Sequence, residues 1–93
     1  MDTGNFVTIR KDQSIGILRT KAIDGRWTVI TNNGIDMLNE TDFEFFDVLQ
    51  FMKDANEIAQ KVDIEKFTRL SVGCSICQTI VENLKKYLGS NIR

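Results

Sequence analysis

Asp24-Gly25 and Asn33-Gly34 sit nine residues apart between runs of β-branched and aromatic residues, and this spacing constrains the fold more than any other feature of the chain. A tight type I′ turn needs positive φ at both central positions, which Asp, Asn and Gly tolerate, so each dipeptide predicts a hairpin. The flanking runs, residues 6 to 11 (FVTIRK), 14 to 22 (SIGILRTKA), 26 to 31 (RWTVIT) and 35 to 38 (IDML), read as strands. Asp12-Gln13 supplies a third, weaker turn. The expectation is a four-stranded antiparallel meander.

Two-residue turns fix the register, and side-chain alternation then sorts the strands into two faces. Val7, Ile9, Leu18, Ala22, Trp27, Val29 and Leu38 share one face, which reads as the core face. Phe6, Ile15, Ile17, Ile30, Ile35 and Met37 share the other with Arg10, Arg19, Lys21, Thr8 and Thr28. That second face is too apolar for free solvent, so it calls for a cover or a homodimer.

Past residue 40 the pattern changes to helical spacing. Thr41-Asp42-Phe43-Glu44 matches a capping box, which predicts a helix from about residue 42 to about 62. Its apolar face would hold Phe45, Val48, Phe51, Met52, Ala55, Ile58, Ala59 and Val62, leaving Phe43 and Phe46 exposed among Asp42, Asp47, Gln50, Lys53 and Asp54. Asp63 caps a second helical segment that ends near Gly89, with a kink or split at Ser71-Val72-Gly73. Phe67, Leu70, Cys74, Cys77, Ile80, Val81, Leu84 and Leu88 form its apolar stripe. The fold class expected is α+β, a single domain over residues 1–93 with the meander followed by two C-terminal helices on one face of the sheet.

Composition narrows the chemistry. The 93 residues include no His, no Pro and two Cys. Without His the chain lacks the usual general base near neutral pH and the commonest metal ligand, so triads and His-containing zinc sites are excluded. No Gly-rich phosphate loop, nucleophile elbow or metal-binding loop accompanies the carboxylates, and a non-enzymatic chain without metal or cofactor is expected. There is no signal-peptide pattern and no apolar run long enough to span a membrane, which points to a cytoplasmic protein. In that setting the sequon Asn39-Glu40-Thr41 is read as chance.

Charge is unevenly spread. The net charge of −1 combines a mildly basic start, an acidic middle and a basic end. Residues 31 to 65 carry nine acidic groups against two lysines, whereas residues 66 to 93 carry five basic groups and one acid. An acidic surface bearing phenyl rings suits docking on a basic protein, where opposite potentials speed encounter and the rings supply a buried anchor. The leading functional expectation is therefore a protein-binding module, a small inhibitor or regulator of the phage or mobile-element type. It would act on a basic, nucleic-acid-handling partner, with Asp42, Phe43, Phe46, Asp47 and Asp54 as the contact residues. The alternative is single-stranded nucleic-acid binding, with Arg10, Arg19 and Lys21 holding phosphates and Phe6 stacking on a base. The acidic overall balance ranks it second.

Cys74-Ser75-Ile76-Cys77 opens a third reading, thiol redox chemistry, because a thiol at a helix N-terminus is acidified and a second one three residues on can resolve it. Both positions fall on an apolar stripe, so unlinked, buried core thiols rank ahead of it. The segment from Cys74 to Leu88, CSICQTIVENLKKYL, resembles a helix of saposin-like proteins, in which paired cysteines precede an amphipathic, lysine-bearing helix. That family's six-cysteine framework is missing here and the first half reads as strands, so no lipid-binding role is carried across.

Overall fold

The computed structural model describes residues 2–47 and 62–91. Five strands form one antiparallel sheet: β1 (Phe6–Ile9), β2 (Ile15–Lys21), β3 (Trp27–Thr31), β4 (Gly34–Leu38) and β5 (Phe43–Phe45), in the spatial order β4-β3-β2-β1-β5. Among the described residues two helices follow, α1 (Ile64–Leu70) and α2 (Ser75–Asn91). This is the expected α+β arrangement with one additional strand.

All three expected hairpins form, each with an altered turn. The first closes over four residues, with Ile9 N–H donating to Ser14 O and Gln13 taking a positive φ of 60°. The second closes over Ile23-Asp24-Gly25, where Gly25 has φ 92°, and a bulge between Leu18 and Thr20 shifts the register once more. The third turns at Asn32-Asn33, one residue early, with Thr31 paired to Gly34. At the base of each hairpin the displacement from the simplest register is two residues, and a two-residue slip leaves every side chain on its original face. The expected face memberships therefore stand, apart from Lys21 and Ala22, which exchange sides beyond the bulge. The bulge moves the Lys21 side chain to the Trp27 side, where its Nζ lies 5.8 Å from the ring centroid.

Both faces are interior. Phe6, Ile15, Ile17 and Ile30 pack with Val62, Phe67, Cys74, Cys77, Val81 and Leu84, so the helices cover the face that was expected to be mixed. The cover is partial, since Ile35 and Met37 of the same face, on β4, remain 43% and 50% exposed. α1 lies on β3 and α2 on β2. The other face encloses a separate cluster of Val7, Ile9, Leu18, Trp27, Val29 and Phe43, with Leu38 at its margin.

Curling of the sheet explains this second interior. In a flat five-stranded sheet the outer strands lie about 19 Å apart. The connection from Leu38 to Phe43 reaches at most about 18 Å fully extended, and a 3-10 turn over Glu40–Asp42 shortens it. The edges must approach each other, and Gly16 makes room for that. A Cβ there would stand 2.5 Å from Val29 Cγ1 and 3.5 Å from Ile9 Cδ1, so only glycine lets β2 close against its neighbours.

The helix expected from residue 42 does not begin there. Residues 43–45 are strand β5, paired with β1 through Ile9↔Phe43, Thr8↔Glu44 and Val7↔Phe45. Arg10 N–H donates to Asp42 O at 2.9 Å and Phe46 N–H donates to Phe6 O at 3.0 Å, which extends the pairing at both ends. The open edge of β1 offered a row of hydrogen bonds along its whole length, against a single local cap for the helix. The capping device lies earlier, with Asn39 N–H donating to the Asp42 carboxylate at 3.0 Å. Residues 46, 47 and 62 are not helical, and residues 48–61 of the expected helix, including Asp54, lie outside the described residues. Farther on the reading holds: Asp63 caps α1 by accepting from Lys66 N–H at 3.1 Å, and the chain breaks at Ser71-Val72-Gly73 before α2. That helix continues two residues past Gly89. No helix among the described residues is long and apolar enough to cross a membrane.

Candidate functional site

Replacing a helix by a strand at residues 43–45 redistributes the aromatic rings. Pairing with Ile9 seats Phe43 in the sheet-enclosed cluster, where it is 1% exposed. Phe43 is thus a core residue, which corrects its assignment as a surface anchor. Phe46 is half-buried against the helix-covered cluster. Phe45, expected on the core side of a helix, is instead 56% exposed. Glu40, Asp42, Glu44 and Asp47 surround it in sequence and are all exposed. The acidic, aromatic surface therefore exists with a different ring at its centre. Phe43-Glu44-Phe45 alternates at the period of a strand, which puts both rings on one face, opposite Ile9 and Val7, so the sequence held no signal for which of the two is exposed.

Glu40, Glu44 and Asp42 are each held by a neighbour. Glu40 accepts from Trp27 Nε1–H at 3.2 Å and pairs with Lys21 Nζ at 3.4 Å, which ties the 3-10 turn to the tip of the β2–β3 hairpin. The Trp27 hydrogen bond, followed by the Lys21 charge, holds the Glu40 carboxyl below its ordinary pKa. Glu44 pairs with Arg10 at 3.7 Å across the β1–β5 ladder. Asp42 receives the Asn39 N–H and also borders an open groove beside Ile9, Arg10 and Leu38. The turn and β5 are held as one rigid acidic edge.

The residues expected to bind nucleic acid do not form a site. Phe6 is 3% exposed, edge-on to Phe67 with ring centroids 6.4 Å apart, so its face cannot receive a base. Arg10 and Lys21 are paired with Glu44 and Glu40, and Lys21 has moved to the opposite face from Arg19. Arg19 donates to Val72 O at 3.1 Å. The structure thus does not gather the three cations and the Phe6 ring on one exposed surface.

Cys74 and Cys77 are both buried, as expected, but they are joined in a disulfide rather than unlinked. Their spacing at the start of α2 brings the Cα atoms within 5.3 Å, inside the range a disulfide spans. Among the described residues no group of three or more His, Cys, Asp or Glu side chains is placed to hold a metal ion. No family model, curated protein or solved structure matches the chain.

Proposed function

We propose that the chain is a non-catalytic protein-binding module whose contact surface is the acidic edge from the 3-10 turn through β5, with Phe45 as its apolar anchor. The observation that carries this reading is the exposure of Phe45 on a strand whose position is fixed by pairing with β1. A large ring on rigid backbone loses little conformational freedom on docking, which is the property of an interface hot spot. The four acids between residues 40 and 47, with no basic residue among them, select a partner with a basic surface. A nucleic-acid-handling protein has such a surface, and the role proposed for this chain is to inhibit or regulate it.

The test is affinity capture with the wild type, Phe45→Ala and an Asp42→Lys, Asp47→Lys double variant, each first checked for native circular dichroism. A partner should be retained by the wild type in low salt, lost with Phe45→Ala and released by the charge reversals. Recovery of the same partners by all three proteins would reject this surface.

A further inference from the structure

We infer that Cys74 and Cys77 form a thiol–disulfide exchange centre, in which an external thiolate attacks Cys74 Sγ and Cys77 Sγ is the leaving group. The bonded sulfurs lie in the first turn of α2, and their surroundings differ in access and in polarity. Cys74 is 8% exposed and Cys77 is 0% exposed, so an incoming thiol reaches only the first. Cys74 borders a surface pocket of about 380 Å³ together with Arg19, Thr20, Gly73, Ser75 and Ile76.

Three groups favour negative charge on Cys74. Its Sγ accepts the Cys77 N–H at 3.3 Å. It occupies the N-cap of α2, since its carbonyl accepts from Gln78 N–H at 2.9 Å, and so sits at the positive end of the helix dipole. Arg19, anchored on Val72 O, brings a full cation to the same pocket. Cys77 Sγ instead lies 3.5 Å from the Leu18 carbonyl oxygen, a partner for a protonated thiol and a poor neighbour for a thiolate. When the pair is open, Cys74 holds the anion and Cys77 the proton.

The exchange balances with two molecules of an external thiol. The first ionises, and its thiolate bonds to Cys74 Sγ. The Cys74–Cys77 bond breaks with its electron pair on Cys77, which takes up the proton that the external thiol released. A second external thiol loses its proton to solvent, its thiolate attacks the external sulfur of the mixed disulfide, and Cys74 departs as a thiolate. Two external thiols are oxidised to one disulfide, and the protein disulfide gains two electrons.

The experiment treats the oxidised full chain with excess reduced glutathione under native conditions, traps free thiols with iodoacetamide and locates every adduct by peptide mass spectrometry. Circular dichroism follows the fold in parallel. The disulfide should open while ellipticity stays native, with the glutathione adduct on Cys74. After reduction, Cys74 should alkylate at least about tenfold faster than Cys77, with a pH midpoint at least about one unit below the roughly 8.5 of a free cysteine. Arg19→Gln should raise that midpoint. Opening only after denaturation, an adduct on Cys77, or a Cys74 midpoint at or above that of free cysteine would each overturn the proposal. Treated with oxidised instead of reduced glutathione, Cys77→Ser should accumulate a stable glutathione adduct at Cys74, with one reduced glutathione released per adduct. If that variant does not fold, the wild-type labelling pattern decides alone.

Discussion

The two interiors of this protein are built from different kinds of contact. The cluster of Val7, Ile9, Leu18, Trp27, Val29 and Phe43 is made by the sheet closing on itself, with the Leu38-to-Phe43 connection drawing its edges together. The cluster around Phe67, Cys77, Val81 and Leu84 requires the C-terminal helices to dock across the opposite face. The first depends on hairpin register and on one crossing. The second depends on chain segments about 60 residues apart, as where Cys77 lies beside Leu18. A sheet with two apolar faces needs both devices, because curling covers only the concave one.

Truncating each interior tests whether the two are separable. Phe43→Ala removes the ring that seats β5 and should cost about 3 to 5 kcal/mol in urea unfolding, the range for a deleted buried aromatic. Loss should begin in the sheet, seen as faster amide hydrogen exchange in β1 and β5. Leu84→Ala should cost about 2 to 5 kcal/mol, with faster exchange confined to α1 and α2. If Leu84→Ala accelerates exchange equally in β3, the two interiors form one cooperative unit and the distinction fails. Gly16→Ala places a methyl group against Val29 and should cost about 1 to 3 kcal/mol through overpacking. An unchanged urea midpoint would show that the sheet is less tightly curled than described.

The smallest effect concerns the brace on the 3-10 turn. The Glu40 carboxyl has a folded pKa below its ordinary value. It therefore contributes stability above the unfolded pKa, and this contribution fades as pH falls through the folded pKa. Glu40→Gln should lower the thermal midpoint at neutral pH and leave it nearly unchanged in strong acid. The wild-type and variant curves should thus converge on acidification. Parallel curves across that range would remove Glu40 from the closure of the sheet.

Much of the sheet was legible from sequence because the turn dipeptides lie in the right places and the register errors at the hairpin bases are even. Ile17 and Leu18 still point to opposite faces after a two-residue slip. The C-terminal helices were legible through the Asp63 cap and the apolar stripe that includes Phe67, Cys77, Val81 and Leu84. β5 was not, since Thr41-x-x-Glu44 gives a local helix signal while the competing signal is non-local. The free edge of β1 lies 34 positions from β5, counted from Ile9 to Phe43, and only closure of the whole sheet brings the two together. That single misreading moved the exposed ring of the candidate surface from Phe43 to Phe45. The disulfide was illegible for another reason: spacing permits the bond, and the redox environment decides whether it forms.

Trp27 is the only tryptophan in the chain, and its indole is buried in the cluster that the sheet makes alone, with its N–H on Glu40. Its emission is consequently a private reporter of barrel-like closure, silent to the helical layer on the far side of the sheet. Fluorescence and far-ultraviolet signals recorded in one titration would register the two halves of the protein on separate channels, with no label added.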